Sequence, residues 1–265
     1  MTKDANQSID RAFAILDLLK DKSNGLGVSE IAKKVGLTTT TTHRFLQALA
    51  KNRYVAQDDQ SRKYKLGIAC LELGSVFLRQ NDIRNLAFPY LSSLRDECKE
   101  TVHLAVLDAP DIVYIEKLDA LLPIGFTGSY VGRRAPAYCT ALGKSFLAYL
   151  PEQEVASLLE GKDLPALTPH TIRTLPALVA ELARIRDQGY SLDNQEIQMG
   201  VKCIAVPVWK HAGEPLAAIS VAGPVDRVEH AILHEKLIDK VINTGLQISK
   251  RLSVMAENPT ANRGW

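Results

Sequence analysis

Cysteine is scarce in this 265-residue chain: Cys70, Cys98, Cys139 and Cys203 are scattered, and no two form a C-x-x-C pair. That argues against structural zinc and a disulfide framework, and reads as reduced thiols in a cytoplasm. No run of 18 apolar residues occurs, so no segment reads as a membrane span. The opening MTKDANQSIDR lacks the apolar core of a secretory signal. Low-complexity segments and internal repeats are missing. So are a nucleophile elbow and a Gly-rich phosphate loop, and no cofactor or metal is expected. An excess of one charge is missing too, with 32 Lys+Arg against 30 Asp+Glu. That balance hides an asymmetry. Residues 1–80 carry 13 basic and 8 acidic side chains, giving +5, and the remainder is −3. A basic first part on a mildly acidic remainder implies an anionic partner for the first part alone. The length suits two domains, and a hydrophobic content of 46% suffices for two cores.

What is present begins with Val28 to Leu49, VSEIAKKVGLTTTTTHRFLQAL. Ser29 is expected to cap a helix whose inner face is Ile31, Ala32 and Val35. Gly36 suits the left-handed stop, Leu37 packs inward, and Thr38 caps a second helix. Thr42, Phe45, Leu46 and Leu49 then lie on one face. Thr39, Thr40, Thr41, His43, Arg44, Gln47 and Lys51 supply hydroxyl, amide and cationic groups of the kind that bond phosphates and base edges. An earlier helix carries Ile9, Ala12, Phe13, Leu16 and Leu19 at helical spacing. Later, YVAQDDQSRKYKL has two strand-like runs around Asp58-Asp59-Gln60-Ser61, with Arg62 and Lys63 placed to reach phosphates. Three helices and a hairpin make a winged helix-turn-helix, and the expected partner is double-stranded DNA. So few cations imply weak binding by a monomer, because phosphate contacts set affinity. A dimer or larger assembly is therefore expected, with the apolar helix Gly67–Gln80 (Leu71, Phe77 and Leu78 among its residues) packing on a second copy.

The rest reads as α+β. Strands are expected at 101–109 and 111–120, a Gly-rich stretch at 123–140, and helices at 141–150, 151–161 and 175–190. A hairpin follows at 203–210 and 215–223, then one long helix from about Asp226 to Ser253. His103 reads first as a satisfied core histidine, with a pocket-facing role as the alternative. Arg133 and Arg134 read first as solvated surface, with a carboxylate clamp as the alternative. Tyr138 reads as packing. A rival enzyme reading pairs Cys139 or Cys203 with His103, oriented by Asp193. A third has the N-terminal helices bind a protein.

The spacing G-x3-D-x2-E-x6-C-[IL]-A-x2-V occurs as Gly189, Asp193, Glu196, Cys203, Ile204, Ala205 and Val208. With GRRAPAYCTALGK at 132–144 and the winged helix upstream, the chain resembles the IclR family of bacterial transcription regulators over nearly its full length. It is closest in style to the sugar-acid regulators of the KdgR-like branch. It departs at Trp209-Lys210, where the family signature usually ends with an aromatic or His followed by Asp or Asn. It departs again in its run of threonines, where members often read S-K-S-T. The resemblance implies a winged helix at 1–66, a linker helix at 67–82, a GAF-like effector domain at 83–256 and a tail at 257–265. It implies effector contacts at Ala141, Leu142, Asp193 and Cys203, with Ile124, Thr127, Ala135, Val201 and Ser220 lining the wall. It also implies a homodimer, arranged as a dimer of dimers on a near-palindromic operator. The expected function is a DNA-binding regulator, read as a repressor, switched by a small carboxylate such as a sugar acid or 2-keto-3-deoxy sugar acid. An aromatic-acid-responsive activator is the alternative.

Overall fold

A computed structural model describes residues 2–123, 128–159, 164–211 and 214–257. The chain forms two compact units, Met1–Gln80 and Asn81–Trp265. Among the described residues no helix is long and apolar enough to cross a membrane.

The first unit contains α1 (Thr2–Lys20), α2 (Val28–Val35), α3 (Thr39–Lys51), β1 (Val55–Gln57), β2 (Tyr64–Leu66) and α4 (Ile68–Arg79). Its core is Ile15, Leu19, Leu26, Ile31, Leu46, Val55 and Tyr64. Each fully buried aliphatic side chain here contributes roughly 1.5–3 kcal/mol over its exposed state. The expected inner face of α1 is corrected: Ile15 and Leu19 are buried, whereas Ile9 and Phe13 are 55% and 61% exposed. The cap of α2 is also corrected from Ser29 to Gly27, whose N–H is received by Glu30 Oε2 at 2.9 Å. A glutamate in the third helical position reaches back over the first turn, so Ser29 lies inside the helix. Gly36 ends α2 at φ 67°, and Thr38 caps α3 by accepting from the Thr41 N–H at 3.2 Å. In α4, Ala69 is buried, but Ile68, Leu71, Leu73, Val76 and Phe77 are exposed.

The second unit is built on a six-stranded antiparallel sheet in the order β5-β4-β3-β8-β7-β6. Its strands are β3 (Thr101–Asp108), β4 (Asp111–Leu118), β5 (Arg134–Pro136), β6 (Ser191–Asn194), β7 (Val201–His211) and β8 (Glu214–Pro224). Alternation gives each strand two faces. One face presents Val102, Leu104, Ile115, Ile204, Val206, Ile219 and Val221 in a core that includes residues of α5 (Asp82–Cys98), α9 (Val225–His234) and α10 (Leu237–Glu257). The other presents small residues, Ala105, Ala205 and Ala218, to α6 (Ala141–Leu147), α7 (Glu152–Leu159) and α8 (Leu175–Gln188). Small side chains let α6 approach the sheet and leave space beside it. The single long C-terminal helix expected from the sequence is two helices, broken at Glu235 and Lys236, where Lys236 has φ 55°.

Candidate functional site

The exposed side of α3 carries Thr39, Thr40, His43, Arg44 and Gln47, while Thr42 and Leu46 are fully buried beneath them. Thr41 is half-buried in the first turn, its hydroxyl accepting from Thr38 Oγ1 at 2.9 Å. Thr38 thus fixes the start of α3 and leaves the outer groups free to meet a ligand surface. The wing is preorganised as well. Asp58 Oδ1 accepts from both the backbone and the hydroxyl of Ser61, each at 2.7 Å, and these bonds lower the Asp58 carboxyl. The Arg62 carbonyl accepts from Gln57 Nε2 at 2.9 Å, and Arg62 itself is exposed at φ 55° with Lys63 beside it, half-buried.

The second unit encloses a cavity of about 410 Å³ between the small-residue face of the sheet and the start of α6. Seven residues that the resemblance singles out, Ala135, Ala141, Leu142, Asp193, Val201, Cys203 and Ser220, line it. Ile124 and Thr127 lie outside the described residues. Strand register explains how distant positions meet. Thr101, Ala222, Cys203 and Asp193 form one row across four strands, and Lys117, His103, Ser220, Ala205 and Ser191 form the next row across five.

At one end the cavity is built around α6. Ser191 Oγ donates to the Ala141 carbonyl at 2.6 Å, and the Thr140 hydroxyl accepts from the Gly143 N–H at 3.0 Å. Gly143 is needed there: an added Cβ would lie 2.2 Å from the Ala137 backbone. Ala141 and Leu142 open the helix, where N–H groups have no carbonyl partner within it. Asp193, 3% exposed, accepts from the Glu196 N–H through Oδ1 at 2.6 Å. Burial raises its carboxyl to about 7. Behind it Glu196 receives the ammonium of Lys144, and Glu181 lies 3.7 Å from the same ammonium. Burial raises the Glu196 carboxyl as well. Thr168 and Thr171 donate to the Gln195 and Glu196 carbonyls at 2.7 Å each, tying the segment with Leu167, another lining residue, to this turn.

His103 occupies both roles considered for it, being 5% exposed and lining the cavity. Its ring nitrogens meet Ser220 Oγ at 3.2 Å and Ser129 Oγ at 2.8 Å. Burial lowers it to about 3, and the Lys117 charge adds to this. Burial also raises Cys139 to about 12 and Cys203 well above its ordinary value. The thiol–imidazole pair of the enzyme reading is therefore not assembled: the thiols stay protonated and His103 is bonded to serines. Arg133 and Arg134 are exposed yet both line the cavity. Arg134 is held by Asp108 at 2.5 Å and Asp111 at 3.2 Å. Tyr138 donates to the Pro165 carbonyl at 2.7 Å. The Lys144–Glu196 pair is not evident from sequence spacing, although Lys144 stands in the 132–144 segment and Glu196 in the 189–208 motif. A lysine inside an otherwise buried helix was the available signal, because it demands a carboxylate partner.

Two family models match the chain. The IclR helix-turn-helix domain covers residues 8–59, and the Bacterial transcriptional regulator IclR C-terminal covers residues 76–250. The HTH-type transcriptional regulator XynR of Escherichia coli is 38% identical over 250 residues, covering 94% of this chain and 98% of the relative. The HTH-type transcriptional regulator KdgR of the same species is 37% identical over 232 residues, covering 88% of each. The crystal structure of the Thermotoga maritima IclR has a TM-score of 0.70 and 31% identity, covering 93% of this chain and 99% of that one.

Proposed function

We propose a ligand-switched operator-binding role for this chain, which belongs to the IclR family of bacterial transcription regulators. It is a DNA-binding regulator and not an enzyme, with an N-terminal helix-turn-helix and a C-terminal α+β effector domain. In our reading Thr39, Thr40, Thr41, His43, Arg44 and Gln47 meet the major groove, and Arg62 and Lys63 meet flanking phosphates. The effector is a small hydroxylated carboxylate, a sugar acid or its 2-keto-3-deoxy derivative. The Ala141 and Leu142 amides take the carboxylate, Asp193 takes a hydroxyl, and Cys203, Ser220, Val201 and Ala135 complete the wall. The observation that carries this is a cavity in which residues 62 positions apart, from 141 to 203, converge on one buried carboxylate.

A ligand moves such a regulator only by its difference in affinity for the DNA-competent and DNA-incompetent states. A coupling of about 1–3 kcal/mol changes operator affinity roughly 5–150-fold. The exposed apolar residues of α4 support a homodimer, and a dimer of dimers on a near-palindromic site, as the working assembly. Ligand release of the operator with restored transcription is the expected sign, that of a repressor. The test is a thermal-shift screen of the full chain against sugar acids, 2-keto acids and aromatic acids, followed by operator binding with each hit. A sugar acid that raises the melting temperature and weakens operator binding supports the reading. Stabilisation by aromatic acids alone replaces the effector class.

A further inference from the structure

We propose that the cavity takes a two-headed acid, with one carboxylate at the α6 end and a second anionic group, carboxylate or phosphate, at the β4 end; this rests on the reading of the cavity as the effector site. The register rows set how far apart the backbones of the two ends lie, and the Lys117 and Arg133 side chains that line the cavity shorten the gap an acid must bridge. Ser191, which touches Ala141, and Lys117 lie in one row with three strands between them. Four inter-strand steps are roughly 19 Å along the sheet. A short acid held by the α6 amides leaves the far end to water.

That far end is built for an anion. Lys117 lines the cavity with its side chain 12% exposed, and its only acidic partner among the described residues is Asp119, 71% exposed at 2.7 Å. The Lys117 charge is thus less neutralised than that of Lys144, which the buried Glu196 and the half-buried Glu181 both meet. Arg133 stands at the cavity mouth beside Gly128, where an added Cβ would lie 2.9 Å from its Nη1. Among the described residues it makes no ion pair, in contrast to its neighbour Arg134. A separate observation comes from β3. Thr101 lines this end, is 3% exposed, and its hydroxyl has no hydrogen-bond partner among the described residues. A buried hydroxyl without a partner is costly, and an oxyanion beside two cations would satisfy it. His103 and Ser129, hydrogen-bonded to each other, line the cavity with them.

Three acids of matched chain length test this on the full chain: D-gluconate, with one carboxylate, D-glucarate, with two, and 6-phosphogluconate. Calorimetric titration is expected to show glucarate or 6-phosphogluconate binding roughly tenfold or more tightly than gluconate, the scale of one charged hydrogen bond. Which of the two leads identifies the second group. Arg133→Gln is expected to abolish that advantage and leave gluconate unchanged. Thr101→Val is expected to lower affinity for the doubly charged acid without lowering the melting temperature of the free protein, since it removes an unpartnered hydroxyl. Equal binding of all three acids, or an advantage that survives Arg133→Gln, overturns the proposal and leaves the effector site standing. No heat from any of the three, with operator binding intact, overturns both.

Discussion

Asp193 and Glu196 are joined across a tight turn, the carboxylate of one accepting the backbone N–H of the other at 2.6 Å while both are buried. The bond links the cavity wall to the charged group behind it. Asp193 faces the cavity, and Glu196 holds the ammonium of Lys144 from α6. Both ends of the α6 subsite, the helix start and the acidic turn, are therefore fastened to each other.

Lys144→Met tests that fastening. It leaves Glu196 buried without its cation, and removal of one partner of a buried pair costs about 3–5 kcal/mol. Chemical denaturation of the variant should show the loss. Adding Glu196→Gln to Lys144→Met should recover part of it, because the orphaned charge is gone. A single variant as stable as the parent would mean that the pair contributes nothing.

Asp193 makes stability depend on pH. Its folded value of about 7 lies above the ordinary carboxylate value of about 4, so the folded protein keeps a proton that the unfolded chain releases. Stability from this group is fully present below about pH 4 and is lost as pH rises toward 7. Glu196 is shifted in the same direction. Asp193→Asn keeps the oxygen that accepts from Glu196 and cannot ionise. Melting temperatures between about pH 5 and 8 should fall less steeply in the variant. Parallel slopes would place the titrating group elsewhere.

Arg44 is exposed on α3 and packs in no core cluster among the described residues. Arg44→Ala should leave the melting temperature unchanged and cost about 1–3 kcal/mol of operator affinity per subunit. A gel-shift assay at moderate salt reads this directly, and unchanged affinity would reassign the recognition surface.

Leu71 and Phe77 are 64% and 57% exposed on α4. Covering them against a second copy is the simplest use of such surface. The parent protein should sediment as a dimer or larger at micromolar concentration. Leu71→Glu combined with Phe77→Glu should shift it toward the 29.1 kDa chain without unfolding it. A monomeric parent would remove the assembly from the account.

The parts of this fold legible in the sequence were those set by neighbours in the chain. Gly36 and Thr38 mark the turn between α2 and α3 through local backbone geometry, and the alternation of Thr101, His103 and Ala105 marks one face of β3. What stayed hidden depends on partners far along the chain. The four residues of β6 are too few to announce a strand, and only pairing with β7 holds them. Ile9 and Phe13 follow the helical spacing of a buried face yet stay exposed, because the first unit packs Ile15 and Leu19 instead. The left-handed Lys236 breaks a continuous helical pattern with no glycine or proline to signal it. In the cavity, motif spacing brought Asp193 and Cys203 to notice, and Arg133 read first as solvated surface with a carboxylate clamp as the alternative, but Lys117 entered only through the register of β4 with β3.

In the proposed switch one unit binds DNA while the other binds an acid through Asp193. Its most direct test is a fluorescence-anisotropy titration of an operator, selected from random duplex DNA, with parent and Asp193→Ala proteins, each with and without the best acid from the screen. Equal operator affinity is expected for the two free proteins, with a roughly 5–150-fold change on adding acid to the parent and none on adding it to the variant. Lost operator binding in the variant, or an undiminished response to the acid, would contradict it.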